Sequence, residues 1–314
     1  MTKIATREAY GKALVKLGAE NKDIVVLDAD LSKSTQTALF AKEFPERFFN
    51  IGIAEQNLIG TAAGLAAAGK IPFASTFAMF ATGRAFEQIR NSVAYPALNV
   101  KVAATHAGIS VGEDGASHQS VEDIAIIRAV PNMTVLVPAD ATETEKAVRA
   151  AVAMQGPVYL RLGRLALPVL FDESYKFEVG KANTVREGSD VTVIACGLMV
   201  GPAIEAAEQL AAENIKVRVI NMGTLKPIDR DVIVKAAQET GAIVTAEEHS
   251  IIGGLGSAVA EVLVQTQPAV QEMVGIKDTF GESGVPAELL EKYGLTTREV
   301  VAAIRRAIAR KAKI

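Results

Sequence analysis

Three segments of the sequence concentrate side chains that can move protons or hold anions. In ATHAGISVGEDGASHQSVED, residues 104–123, His106, Asp114 and His118 share a stretch with Gly108, Gly112 and Gly115. Imidazoles and a carboxylate on such a loop suit a hydroxylated ligand, because each can exchange hydrogen bonds with hydroxyl and carbonyl oxygens. Polar side chains also gather in glycine-rich loops that bind nothing, and the residue types alone leave the two readings level. In FNIGIAEQNLIGTAAGLAAAG, Glu55 stands in otherwise apolar and small surroundings where a helix begins. An acid there commonly balances the positive end of the helix dipole. The neighbouring Ile, Leu and Ala should also desolvate the carboxyl and raise its pKa towards the range useful for proton transfer, so the alternative is a working acid. DADLSKST, residues 28–35, places acids, hydroxyls and a lysine directly after an apolar strand. Helix capping by Ser32 or Ser34 accounts for it as well as a ligand does.

Other polar features carry less. The histidines are His106, His118 and His249, the one cysteine is Cys196, and no Cys or His cluster suggests a transition-metal site, so no metal ligands are expected. Cys196 lies in the apolar run VTVIACG and is expected to be a buried, inert thiol. HSIIGGLGSAVAE has the glycines of a dinucleotide loop, but AEEHSII separates them from the preceding strand, where that fingerprint needs a tight turn. Gly253, Gly254 and Gly256 therefore read as a closely packed helix start. Phe77, Phe80 and Phe86 in TFAMFATGRAF have the spacing of core residues, a reading that holds until a planar ligand is implicated.

The scaffold follows from periodicity. Short Val- and Ile-rich runs alternate with Ala-rich stretches: DIVVLDAD, a helix near 54–69, KIPFAST, a helix near 79–95, and NVKVAATH. The alternation continues through a helix at 121–129, the strand MTVLVPAD, a helix capped by Asp140 and the strand PVYLRLGR. This predicts a parallel sheet with helices on both faces, whose ligands belong at the C-terminal ends of the strands. From Leu165 to Asp190 the pattern lapses into a polar connection with room for a β-hairpin. A second α/β unit follows, with DVTVIACG, a helix at about 198–213, KVRVINMG, a helix at about 230–239, GAIVTAEE and an amphipathic helix near 296–311. The predicted fold class is α/β with two domains: residues 1–166, a linker at 167–187, and a smaller domain at 188–314.

Composition agrees. At 314 residues the chain exceeds what one core usually serves, and 49 % hydrophobic residues with only 5 % aromatics suit Ala, Val, Ile and Leu packing. A formal charge of -3, from 33 basic and 36 acidic residues, offers no footprint for nucleic acid or membrane. No apolar run reaches the roughly 18 residues of a membrane span, and the start of the chain lacks a signal-peptide core. A cytoplasmic location is expected.

RFFNIGIAEQNLIG, ASTFAMF, ATHAGISVGEDGASHQSVEDIAIIRAVPNMTVLVPAD and YLRLGR, in this order, resemble the transketolase family, and the resemblance covers the whole chain. Its specific part is GEDGxxHQ followed by RxxPNMxxxxPxD. The resemblance implies a thiamine-diphosphate pyrimidine-binding domain followed by a smaller transketolase C-terminal domain. The GDG motif and later Asn, which hold metal and diphosphate in one-chain members, are missing here. The chain thus resembles the C-terminal subunit of a split, two-chain transketolase. It is expected to need an N-terminal subunit that binds the diphosphate with Mg2+ (or Ca2+), in a two-plus-two heterotetramer.

Residue by residue, the resemblance implies that Glu55 hydrogen-bonds N1' of the aminopyrimidine and so lets the cofactor activate itself. Phe77 and Phe80 match aromatics that pack on the pyrimidine, which reverses their core reading. Gly83 replaces a third aromatic, and Asp30 and Leu31 match residues beside the cofactor. His118 matches a catalytic residue near the reacting hydroxyl and carbonyl, and Asp114 one that reads an adjacent hydroxyl. Arg7, Ser34, His106 and Arg164 match the phosphate-binding set, with Arg161 a neighbour left outside it.

The implied reaction is transfer of a two-carbon ketol unit from a ketose phosphate, such as xylulose 5-phosphate, to an aldose phosphate in the pentose phosphate network. A 1-deoxyxylulose-5-phosphate synthase fragment is a rival, although that family usually lacks a histidine equivalent to His106. A 2-oxo-acid dehydrogenase beta subunit has no need of Arg7, Ser34 and Arg164 together with His106. A catalytically silent scaffold or regulatory paralogue would not require Glu55, Asp114 and both loop histidines.

Overall fold

All five residues of Ile24–Asp28 and all five of Lys101–Thr105 are buried, as strands covered on both faces must be. They belong to a seven-stranded sheet in a computed structural model that describes residues 2–313. Its order is Thr224–Lys226, Thr134–Leu136, Val158–Arg161, Lys101–Thr105, Ile71–Phe77, Ile24–Asp28 and Phe48–Asn50. All neighbours pair in parallel except Thr224–Lys226, which runs antiparallel.

Strand alternation explains how both faces are covered. Val25 and Leu27 point into a cluster with Leu58, Ile59 and Ala62 of the helix Glu55–Ala67, while Ile24 and Val26 pack with Tyr10 and Leu14 of Thr6–Glu20 and with Val148 of Ala141–Ala153. Full burial of a side chain such as Leu58 or Ile59 contributes roughly 1.5–3 kcal/mol. That is enough to seat the helix that opens on Glu55. Asp140 caps Ala141–Ala153 as expected, accepting from the Glu143 N–H at 2.8 Å.

The second sheet has five strands in the order Val270–Ile276, Ala242–Ser250, Val191–Ala195, Val217–Asn221 and Asn183–Arg186, the last antiparallel. Thr296 caps the final helix Thr297–Lys311. The two units share packing, because the cluster built on Val25 and Leu58 runs on through Val137 to Ile194, Cys196 and Ile220. Glu143 adds a polar joint: its carboxylate accepts from Tyr175 Oη at 2.7 Å and from Asn221 Nδ2 at 2.8 Å. Burial pushes its pKa up to about 7, against the pull of these donors.

Two expectations change, and one strand was not foreseen. The hairpin in 165–190 does not form, because Ala166–Pro168 pairs with Lys3–Ala5 and Asn183–Arg186 with Val217–Asn221. The helix at 79–95 is broken into π-helical turns at Phe80–Arg84 and Ile89–Ala94 around Phe86–Gln88. Thr82 Oγ1 donates to the Ala78 carbonyl at 2.8 Å, a back-bond that bends helices, and π turns often mark functional sites. The strand Thr224–Lys226 leaves the second unit to extend the first sheet.

Candidate active site

The strand ends of the first sheet supply the site. After Ile24–Asp28 the chain turns around the buried Asp28 carboxylate, which accepts from Leu31 N at 2.6 Å, Thr35 Oγ1 at 2.7 Å and Thr37 Oγ1 at 2.9 Å. Burial raises the Asp28 pKa while these bonds oppose the rise. Asp28 therefore builds the loop, and Asp30 is presented by it. Asp30 is exposed with φ 63° and is clamped by Asn50, which accepts from Asp30 N at 3.1 Å and donates to its carboxylate at 3.0 Å. Neither Ser32 nor Ser34 caps the short helix Ser32–Thr35, where Leu31 holds the cap position.

Glu55 is the first residue of its helix and only 1 % exposed. The dipole position and the burial foreseen for a working acid are both realised. The unforeseen partner is Arg84, half-exposed, whose Nη1 donates to Glu55 Oε2 at 2.8 Å. The same guanidinium lies 4.6 Å from the Phe80 ring centre. It compensates a carboxylate that would otherwise be desolvated without a counter-charge. Arg84→Ala is expected to destabilise the chain by about 1–2 kcal/mol in urea unfolding. Adding Glu55→Gln should recover part of that loss, and an Arg84→Ala variant as stable as the wild type would show that the pair contributes nothing.

Beyond Arg84 the aromatic groups run on as a stack. Phe77 and Phe80 lie 5.7 Å apart at 16°, Phe77 and His106 3.9 Å apart at 21°, and His118 meets Phe80 edge-on at 5.1 Å. His106 follows Lys101–Thr105 with φ 55°, a conformation costing a non-glycine residue of order 1 kcal/mol and typical of functional sites. Burial, reinforced by the charges of Arg7, Arg164 and His118, pushes its pKa down to about 3, so the ring is neutral at physiological pH. Its Nδ1 is 3.0 Å from Thr105 Oγ1. His118 is partly buried, with Nδ1 2.9 Å from Ser117 Oγ, and Asp114 is exposed on the same loop.

Burial lowers the Arg7 pKa, and the positive charge of Arg164 adds to this while Glu8 opposes it. Arg7 Nη1 donates to the Ser34 carbonyl at 2.7 Å, and its buried Nε has no partner among the described residues. Arg164 Nη1 donates to the Val111 carbonyl and, at 2.9 Å, to Glu113. Two guanidiniums and a neutral imidazole around an unsatisfied N–H suit a tetrahedral oxyanion. The structure thus brings Glu55, Phe77, Phe80, His106 and His118 into one contiguous group through Arg84, and sets Arg7 and Arg164 near enough to His106 for their charges to act on it, with the Ser34 carbonyl held by Arg7.

Residues outside the site have structural employment. Arg161 is committed to the buried Asp123 through Nε at 2.8 Å and Nη2 at 3.1 Å. Cys196 is a free, buried thiol whose pKa burial pushes well above its ordinary value. A Cβ at Gly254 would lie 2.1 Å from Glu247 Oε2, so these glycines pack a helix start as read. Among the described residues no group of three or more His, Cys, Asp or Glu is arranged to hold a metal, and no helix is long and apolar enough to cross a membrane.

The fold is that of a two-unit α/β protein whose candidate site lies at the strand ends of the first sheet. Residues 2–169 match the family model for the transketolase pyrimidine-binding domain, and residues 180–300 match that for the transketolase C-terminal domain. The chain belongs to the transketolase family, whose members depend on thiamine diphosphate. It is 54 % identical over 292 residues, 92 % of each chain, to a Methanocaldococcus jannaschii protein assigned as a transketolase C-terminal section. A 6-deoxy-6-sulfo-D-fructose transketolase subunit of a Clostridium species is 44 % identical, covering 97 % of this chain and 95 % of that one. Among solved structures, a split-gene transketolase described as an inactive beta4 tetramer superposes with a TM-score of 0.92 at 61 % identity, covering 98 % of this chain and 99 % of that one.

Proposed function

We propose that the chain is the C-terminal subunit of a two-chain transketolase. Together with an N-terminal subunit it moves a two-carbon ketol unit from a ketose phosphate to an aldose phosphate, in cytoplasmic pentose phosphate metabolism. The observation that carries this reading is one contiguous group of side chains. A buried carboxylate, Glu55, joins an aromatic wall of Phe77 and Phe80, which leads through neutral His106 to the Arg7 and Arg164 guanidiniums.

These residues fit thiamine diphosphate at one end only. A planar aminopyrimidine suits the Phe77 and Phe80 faces, and Glu55 can hold or release a proton towards a ring nitrogen, with Asp30 and Leu31 at the edge. Bound there, the cofactor supplies a nucleophilic carbon able to break and re-form the bond beside a ketone. The diphosphate and its Mg2+ (or Ca2+) fall to the N-terminal subunit. Exposed apolar side chains close to Glu55 in sequence, Ile53 at 78 % and Phe49 at 40 %, support a covering partner. In the two-plus-two assembly that follows, His118 and Asp114 meet the reacting hydroxyl and carbonyl, while Arg7, Ser34, His106 and Arg164 hold the substrate phosphate.

An arginine cluster can also bind a sulfonate, a tetrahedral monoanion with three oxygen acceptors, and the sulfosugar relative makes that the second reading. A substrate panel decides. The complex with an N-terminal subunit, thiamine diphosphate and Mg2+ is offered xylulose 5-phosphate, 6-deoxy-6-sulfofructose or hydroxypyruvate as donor, with ribose 5-phosphate as acceptor. The phosphorylated ketose should give the highest kcat/KM; a preference for the sulfosugar would overturn the phosphate assignment.

A further inference from the structure

We infer that Glu248, on the second α/β unit, is a positioning residue for the loop that carries the substrate-facing histidines. The inference rests on the proposed roles of that loop. After Lys101–Thr105 the chain leaves the first sheet and is seated on the second unit. Glu248 Oε1 accepts from the Ser110 N–H at 2.7 Å, Ser250 N donates to the Val121 carbonyl at 2.7 Å, and Gln119 Nε2 donates to the Glu282 carbonyl at 2.9 Å.

Of these contacts, the one made by Glu248 falls where the site needs it. Ser110 lies between His106 and Val111, and the Val111 carbonyl receives Arg164. A carboxylate that fixes Ser110 therefore fixes the histidine and the seat of the arginine together. Gly108 shows how close the approach is. Its φ is +81°, and a Cβ there would stand 2.2 Å from Glu248 Cδ and 2.3 Å from Oε1.

The backbone of Glu248 is itself held. Arg161 Nη2 donates to the Glu248 carbonyl at 2.9 Å and is paired with Asp123, so a buried ion pair of the first unit grips the strand Ala242–Ser250 next to the loop. Burial raises the Glu248 pKa to about 7, with Arg161 pulling it down and Asp123 adding a smaller upward push. A buried side chain spanning 138 residues of sequence is a costly way to satisfy one backbone N–H. It is economical as a device that sets loop geometry, since displacing a substrate-binding group by about 1 Å can cost on the order of a hundredfold in rate.

Glu55, Phe77 and Phe80 stand on other elements, which separates two readouts. In the complex with an N-terminal subunit, Glu248→Ala should raise the KM for xylulose 5-phosphate about tenfold or more and leave the dissociation constant for thiamine diphosphate within about twofold. Glu248→Gln, whose amide oxygen still accepts from Ser110, should restore most of the loss. Glu248→Asp, one methylene too short, should show a milder form of the same fault and provides the test if the alanine variant does not fold. Hydrogen exchange on the chain alone should show faster exchange at residues 107–112 in the Ala and Asp variants but not in Gln. Unchanged exchange and KM, equal losses in substrate and cofactor binding, or a Gln variant no better than Ala would each overturn the inference. If the wild-type complex shows no ketol transfer, the proposed function fails, while the exchange measurement still judges Glu248.

Discussion

Glu55→Gln should leave the assembled enzyme folded and lower its turnover at least about a hundredfold, the usual scale for removing a proton-transferring side chain. Glutamine keeps the size of the side chain and a carbonyl oxygen, so the packing under Leu58 and Ile59 is undisturbed. What it cannot do is take and release a proton. The loss should appear in kcat with every donor, because in the proposed function the carboxyl serves the cofactor and not a particular sugar. Steady-state rates, with far-UV circular dichroism to check folding, make the comparison. Near-normal turnover would remove Glu55 from the mechanism and return it to the helix dipole.

Arg164→Ala should discriminate between substrates where Glu55→Gln does not. A charge-assisted hydrogen bond is worth about 1.5–3 kcal/mol, which corresponds to a loss of roughly 10–100-fold in kcat/KM for phosphorylated ketoses. Hydroxypyruvate, which has no phosphate, should be affected severalfold at most. In the free chain Arg164 is paired with Glu113, an exposed partner that an oxyanion could displace readily. Equal losses for both donor types would rule out a phosphate role and leave Arg164 a structural tie to Val111.

The sequence was most legible where chemistry and topology coincide. Each segment singled out for its side chains follows a strand or opens a helix of the first sheet, so βαβ periodicity alone gathered Asp30, Glu55 and His106 at one edge. The Phe77 and Phe80 pair was ambiguous, because spacing cannot separate a core pair from a ligand wall. Only the flanking motifs turned the balance. Arg84 was missed: its partner lies 29 residues away, and the π-helical turn that presents it breaks the helical register a periodicity reading assumes. The hairpin failed for a similar reason. Two short strands with turn residues between them invite mutual pairing, yet Ala166–Pro168 forms a separate two-stranded sheet with Lys3–Ala5 and Asn183–Arg186 takes the edge of the second sheet. Glu248 carried no local signal, since its burial arises only when the second unit closes on the loop.

The proposed function gives this chain half of an active site. It is tested by assaying ketol transfer from xylulose 5-phosphate to ribose 5-phosphate, with thiamine diphosphate and Mg2+, while a separately purified N-terminal subunit is titrated into the chain. The expected result is no measurable turnover by the chain alone and a rate that rises to a plateau at one N-terminal subunit per chain. Robust turnover by the chain alone, or none at any ratio with a folded partner, would contradict it.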